Sequence, residues 1–276
     1  MLATQDLTIR FGGHVAVNAV TCAFEPGTLT AIVGPNGAGK TTYFNLISGQ
    51  LKATSGTVTL NRRDLTGVGV SARTRAGLGR AFQLTNLFPN LTVLENVRLA
   101  VQATREGLHR HGFNLWSIWS DHRLLTARAL EILDVVAMTD RQGASVASLP
   151  HGDQRKLEVA LLIALESQVF MFDEPTAGMS ADEAPVILDL IRQLKADKTK
   201  TILLVEHKMD VVRELADRII VLHNGTLVAD GEPAEVIASA VVQEAYLGVN
   251  PKDASAQADD SRHPNLPTQG GRSNAP

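Results

Sequence analysis

The sequence predicts an α/β fold built around a mostly parallel sheet, and three observations lead to it. Gly34-Pro35-Asn36-Gly37-Ala38-Gly39-Lys40-Thr41 fits the phosphate-binding pattern G-x-x-x-x-G-K-S/T, and it stands between a strand-like run and a helix-like run. Val169-Phe170-Met171-Phe172 is a short apolar run of the kind buried in parallel sheets, and it ends in two carboxylates, Asp173 and Glu174. From residue 167 onward, strand patterns and helix patterns alternate.

The elements follow in order. Leu2 to Arg10, Val15 to Phe24 and Thr28 to Val33 have β character, with Gly12-Gly13 and Pro26-Gly27 as turns. Thr41 to Ser48 reads as a helix ending near Gly49, and Gly56 to Asn61 as a further strand. From about Asn86 to Glu166 the pattern becomes helical, and Val93 to Ala103 and Leu124 to Ala137 carry apolar residues at three- and four-residue spacing. Between those two helices, Arg105 to Asp121 is irregular and rich in His, Gly and Trp. Its His109 and His111 read as a solvated loop rather than metal ligands, and Trp116 and Trp119 as packing on one side of a short helix. Thr201 to Val205 is another buried strand, and Ala184 to Lys195 and Met209 to Ala216 are the intervening helices. Ile219 to Leu222 and Thr226 to Ala229 flank His223-Asn224-Gly225, a hairpin with an Asn-Gly turn. Residues 1–249 are expected to form the folded unit, with the helical insert at about 86–166. Residues 250–276 are Pro, Gly, Ser, Asn, Gln and Asp with hardly any large apolar side chains, the composition of a disordered tail.

Composition narrows the function. The 276 residues are 44% hydrophobic and 20% charged, ordinary for a globular protein, and the formal net charge of −3 argues against a nucleic-acid partner. The single cysteine, Cys22, cannot form an intrachain disulfide and fits a reducing compartment. No run of apolar residues is long enough to span a bilayer, and Asp6 and Arg10 interrupt any signal-peptide pattern, so the expected location is cytoplasmic unless a partner holds the chain at a membrane.

The chemistry lies in the two motifs. A glycine-rich turn can point successive backbone N–H groups at a row of phosphates because no Cβ blocks the approach. Gly34, Pro35, Asn36, Gly37, Ala38, Gly39, Lys40, Thr41 and Thr42 are therefore the candidate ATP contacts, with Lys40 reaching the β- and γ-phosphates and the Thr41 hydroxyl on Mg²⁺. Phosphoryl transfer also needs a metal, a polarised water and charge neutralisation. Asp173 is placed to hold Mg²⁺ through water and Glu174 to polarise the attacking water.

With these motifs in place, the chain resembles the nucleotide-binding subunits of ABC transporters over about residues 2 to 248. The resemblance implies a RecA-like core with an N-terminal antiparallel β-subdomain and an inserted helical subdomain. It implies that Phe11 stacks on adenine. It also implies that Gln83, in Arg80-Ala81-Phe82-Gln83, contacts Mg²⁺ and water and links to the membrane partner. His207, after Val205-Glu206, is similar to the switch histidine that touches the γ-phosphate. Leu149-Pro150-His151-Gly152-Asp153 aligns with the signature Leu-Ser-Gly-Gly-Gln, which opens a helix, here Asp153 to Leu165, whose N-terminus meets the γ-phosphate bound by the opposing subunit. Pro150, His151 and Asp153 depart from that pattern, and Ser180 stands where the family's D-loop aspartate is usual, so the trans half of the site differs while the cis half matches.

Within the family, Gln83 to Val97, the insert at 107–121, Gly178-Met179, Val205 to Met209 and Ala245-Tyr246-Leu247-Gly248 look most like importer ATPases for branched-chain amino acids, short amides and urea. The alternatives are an exporter ATPase of the lipopolysaccharide-transport kind and a non-transport member acting on DNA or the ribosome, against which the single cassette and the lack of basic excess weigh. The importer resemblance implies a second cassette, either a copy or a paralogue. It further implies two membrane permeases, a periplasmic solute-binding protein and a peripheral place on the cytoplasmic face of the cell membrane.

Overall fold

The computed structural model describes residues 1–81, 87–104, 118–180, 182–239 and 242. The chain opens with β1 (Leu2–Phe11) and β2 (His14–Phe24), an antiparallel pair turning through Gly12-Gly13. β3 (Leu29–Val33) follows, buried at every position, and feeds the phosphate loop and α1 (Lys40–Ser48). β4 (Ser55–Leu60) returns antiparallel to β1, and β5 (Arg63–Asp64) pairs with β4. These strands form the first sheet, in the order β2-β1-β4-β5.

A short helix α2 (Val70–Arg75) leads to β6 (Leu78–Ala81). The helices α3 (Val93–Gln102), α4 (Ile118–Val135) and α5 (His151–Ala164) come next. Then β7 (Val169–Asp173), α6 (Ala184–Ala196), β8 (Thr201–Val205), α7 (Met209–Leu215), β9 (Arg218–His223), β10 (Thr226–Gly231) and α8 (Pro233–Ala238) complete the described chain. The second sheet has the order β10-β9-β3-β8-β7-β6, parallel from β9 to β6, with β10 antiparallel at the edge.

Side-chain alternation in the second sheet divides the core. Phe170 and Phe172 of β7 and Ile202 and Leu204 of β8 pack with α3, α4, α5 and α6. Val169, Met171, Leu203 and Val205 face the other way and pack with α1 and the first sheet. Both faces are covered, so the strands must be apolar throughout, and this is why β7 and β8 read as continuous apolar runs.

Local signals fix the helices. Thr92 caps α3 by accepting from the Glu95 N–H, and the Glu95 carboxylate returns the bond to Thr92, a complete capping box. That exchange holds the Glu95 carboxyl below its usual value. The C-terminal carbonyls of α1, Leu46 and Ile47, accept from the buried Arg73 guanidinium at 2.8 and 2.6 Å. A cation at that end also suits the helix dipole. Tyr43 of α1 is fully buried, and its hydroxyl lies 2.7 Å from Thr4 Oγ1 of β1, so one polar contact joins the phosphate-loop helix to the first sheet.

Several elements differ from the sequence expectation. The signature helix begins at His151 with Pro150 at its N-cap, two residues earlier than expected, because a cap residue needs no N–H of its own. α4 runs from Ile118 rather than Leu124. β6 was not anticipated, since Leu78-Gly79-Arg80-Ala81 has little strand character, and its pairing with β7 supplies what its composition lacks. β5, α2 and α8 were also missed. The expected tail, the irregular insert up to residue 117 and Gln83 lie outside the described residues.

Tyr43→Phe removes the buried phenolic oxygen and leaves Thr4 Oγ1 with only its 3.5 Å contact to the Cys22 carbonyl. The expected loss is about 1–2 kcal/mol, read as a lower midpoint in urea unfolding with an unchanged slope.

Candidate functional site

The parallel sheet places three loops side by side. β3, β8 and β7 are consecutive neighbours, and the chain leaves their carboxyl ends into the phosphate loop, into His207 and into Glu174. That edge is where open α/β sheets bind ligands.

The phosphate loop is seated on its neighbours by backbone. A Cβ at Gly34 would come within 2.1 Å of the Leu222 carbonyl oxygen, and one at Gly39 within 2.5 Å of the Ala16 carbonyl oxygen. Both positions also have positive φ, 150° and 97°, so only glycine fits without strain. Gly225, in the β9–β10 turn, donates to the Ala38 carbonyl at 3.0 Å and accepts from Asn18 at 2.8 Å, tying loop, hairpin and β2 together. α1 starts at Lys40, and its first helical bond is Tyr43 N–H to the Gly39 carbonyl. The amides of Lys40, Thr41 and Thr42 thus precede the intrahelical ladder and are available to an anion. Pro35, Asn36 and Gly37 form the outer, solvent-facing part of the loop. Lys40 is 6% exposed and donates to the Gly34 and Pro35 carbonyls at 2.7 and 3.0 Å, folding back over the loop. Burial lowers its ammonium pKa from the usual value, while the charges of Glu174 and Asp173 act against that shift.

Asp173 ends β7 almost fully buried and accepts from Arg80 of β6 at 2.6 Å. Desolvation raises its carboxyl pKa and outweighs the attraction of Arg80. The Arg80 guanidinium shifts down for the same reason, burial first. Each partner therefore shifts toward its neutral form, as expected of an ion pair held out of water.

Glu174 follows with φ of 50°, a left-handed conformation unfavourable for a residue with a Cβ. Its N–H donates to the Val205 carbonyl at 2.9 Å, and its Oε1 lies 2.7 Å from His207 Nε2. The turn carries the carboxylate off the strand end toward the histidine. Behind them Glu206, 3% exposed, accepts from the Thr176 hydroxyl at 2.6 Å and from the His207 N–H at 2.7 Å. Glu206 thereby fixes the backbone that presents His207.

The structure brings together Lys40, Asp173, Glu174 and His207, as the sequence predicts. Thr41 stands exposed in the first turn of α1. Phe11 is 50% exposed at the end of β1, not a core residue. Pro150 and His151 are exposed at the start of α5, Gly152 is buried, and Asp153 pairs with Lys156 at 3.0 Å. Among the described residues no bond links Pro150–Asp153 to Lys40, Asp173 or Glu174. Glu183 approaches that helix start: a Cβ on Gly152 would meet its Oε1 at 2.8 Å, and its Oε2 accepts from the Ser180 N–H and hydroxyl, each at 3.1 Å. Sequence reasoning missed Arg80, Glu206 and Glu183. Arg80 and Glu206 stood beside recognised motif residues, and that adjacency was the one available signal.

The comparisons agree with this geometry. Residues 17–177 match the family model described as ABC transporter. The high-affinity branched-chain amino acid transport ATP-binding protein LivG of Salmonella typhimurium (strain LT2) is 36% identical over 249 residues, 90% of this chain and 98% of LivG. The crystal structure of the ADP conformation of an ATP-binding cassette of an ABC transporter superposes with a TM-score of 0.75 at 28% identity, covering 90% of this chain and 99% of that one. A dimeric post-hydrolysis structure of another ATP-binding cassette, bound to ADP and Pi, gives a TM-score of 0.70 at 25% identity, covering 84% and 99%. The chain belongs to the ABC transporter family and is an ATPase of that family.

Glu206→Ala leaves the buried Thr176 hydroxyl and the His207 N–H without their acceptor. The expected loss is about 1–3 kcal/mol in denaturant unfolding, whereas Glu174→Ala, at an exposed carboxylate, changes the same midpoint little.

Proposed function

We propose that this chain is the ATP-hydrolysing subunit of an importer for branched-chain amino acids or similar small polar solutes. The observation that carries the hydrolytic reading is the meeting of Lys40, Asp173, Glu174 and His207 at the carboxyl ends of three adjacent parallel strands. The solute class rests on the likeness to LivG, whose own name states branched-chain amino acid transport.

In this reading the loop amides and Lys40 hold the β- and γ-phosphates, and Phe11 offers an exposed ring to the adenine. The donor set suits Mg²⁺: the Thr41 hydroxyl and Asp173 Oδ1, which has no bond among the described residues, are hard oxygen ligands. Mg²⁺ is commonly held by one or two carboxylates together with substrate phosphates. In this reading the triphosphate supplies much of the ligand sphere. When bound, the metal neutralises charge on the β- and γ-phosphates. Glu174 draws a proton from the attacking water, whose oxygen bonds to the γ-phosphorus as the bond to the bridging oxygen breaks, leaving ADP and phosphate. His207 orients Glu174 and meets the γ-phosphate. Gln83 completes the water and metal contacts.

Two cassettes, copies or paralogues, close head to tail so that each phosphate loop faces the opposing Pro150-His151-Gly152-Asp153. Loss of the γ-phosphate lets them part, and the motion reaches two membrane permeases fed by a periplasmic binding protein. No helix among the described residues is long and apolar enough to cross a membrane. A peripheral position on the cytoplasmic face, held by the permeases, belongs to the same importer reading.

Glu174→Gln tests the reading. Nucleotide affinity stays within a few-fold of the wild type, steady-state hydrolysis falls at least a hundredfold, on the order expected for a lost general base, and a dimer accumulates with ATP in size exclusion. Wild-type turnover in this variant places the base elsewhere. Pro150→Ser restores a hydroxyl at the helix start and should speed hydrolysis by the isolated chain, up to about tenfold. An unchanged rate shows that the free amides of α5 suffice.

A further inference from the structure

Arg80 has no place in the hydrolytic scheme above, yet its two terminal nitrogens reach four oxygens at the sheet edge, while its Nε is buried without a hydrogen bond. Its Nη2 donates to Asp173 Oδ2 at 2.6 Å. Its Nη1 reaches three oxygens in and just beyond α1: Asn45 Oδ1 at 2.6 Å, Gln50 Oε1 at 2.8 Å and Ser48 Oγ at 3.0 Å. The guanidinium carbon lies 5.3 Å from the centre of the Phe44 ring, so the plane is also supported from α1. In the β6–β7 ladder Arg80 lies opposite Met171, which packs on the α1 face of the sheet, and Asp173 is two residues further along that face.

We infer that Arg80 is a positioning residue for the metal-holding carboxylate, pinning Asp173 to the helix that carries the phosphate loop. The inference rests on the reading of Asp173 as the Mg²⁺ carboxylate. Two features favour positioning over simple charge balance. The side chains of Arg80 and Asp173 are 7% and 6% exposed, and an ion pair so deeply buried adds little stability that a well-packed apolar pair would not. In addition, the bonds divide the guanidinium between two elements. One nitrogen takes the strand-end carboxylate and the other takes α1, so two nitrogens at fixed separation span four oxygens, a reach that the single nitrogen of a lysine ammonium lacks. With Oδ2 held, rotation of the Asp173 carboxylate is restricted and Oδ1 keeps one direction. The metal's protein ligands, Thr41 at the start of α1 and Asp173 at the end of β7, are then linked through a single side chain. Partners that orient a metal ligand in this way typically contribute a factor of about 10–100 in metal affinity.

The experiment uses the full chain and a fluorescent ATP analogue, titrated first in EDTA and then with Mg²⁺ at fixed nucleotide. Arg80→Met is expected to raise the Mg²⁺ half-saturation by about tenfold or more while affinity in EDTA stays within twofold. Arg80→Lys recovers only part of the loss, because one ammonium nitrogen cannot reach all the oxygens that the two guanidinium nitrogens span. Asn45→Ala leaves the Arg80–Asp173 pair in place and removes an anchor on α1, so it shifts the half-saturation the same way by a smaller factor. Asp173→Asn is the reference. If it abolishes the Mg²⁺ response while Arg80→Met leaves the half-saturation unchanged, Asp173 keeps its role and Arg80 is a packing element. Full recovery in Arg80→Lys likewise overturns positioning, since charge alone then suffices. An intact Mg²⁺ response in Asp173→Asn removes the premise and the inference with it. Should Arg80→Met fail to fold, Arg80→Lys and Asn45→Ala decide the question.

Discussion

Charge held out of water at one edge of a parallel sheet is the constraint on which the rest of this molecule depends. Lys40, Arg80, Asp173 and Glu206 are all nearly inaccessible and gather where β3, β6, β7 and β8 end. Each would be costly to bury alone. Each has partners only because the backbone is shaped to give them. Lys40 takes two loop carbonyls, Asp173 takes Arg80, and Glu206 takes a threonine hydroxyl and a main-chain N–H. The apolar interiors on both faces of the sheet hold this edge rigid, and the edge itself favours chemistry over stability.

What was legible in the sequence was whatever chemistry demands at fixed spacing. The phosphate loop, the paired carboxylates and the histidine after a strand must have those residue types in that order, so they could be read one residue at a time. β3, β7 and β8 were legible for a related reason: burial on both faces leaves no position free for a polar residue. β6 was not legible, because Leu78-Gly79-Arg80-Ala81 becomes a strand through its partner rather than its composition. Arg80, Glu206 and Glu183 escaped for the same reason. For Arg80 and Glu206 the deciding partners, Asp173 and Thr176, lie 93 and 30 residues away, and for Glu183 the hidden part is its approach to Gly152, since its bonds to Ser180 are local. Phe11 is a middle case: the strand was read only as far as Arg10, and the structure extends it to Phe11 with the ring 50% exposed.

One carboxylate links the Ser180 turn to the start of α5. Glu183 stands between Ser180 and the buried Gly152, and its carboxyl is held below the usual value, first by the Ser180 backbone and then by its hydroxyl. Ser180, one of the departures, is thus bonded to the carboxylate that reaches the signature helix at Gly152, two residues beyond Pro150.

The contact between the phosphate loop, Ala16 and the Gly225 turn has a thermodynamic consequence. A loop wedged between a strand carbonyl and a hairpin backbone has little conformational entropy left to lose. Nucleotide capture at such a seat resembles docking onto a rigid template rather than folding around a guest, and the ordering penalty that weakens many phosphate sites is largely absent. The free energy of binding is then available to displace elements on the far side of the cleft. The wall that holds the loop is the antiparallel sheet, whose second strand lays its Ala16 carbonyl against Gly39.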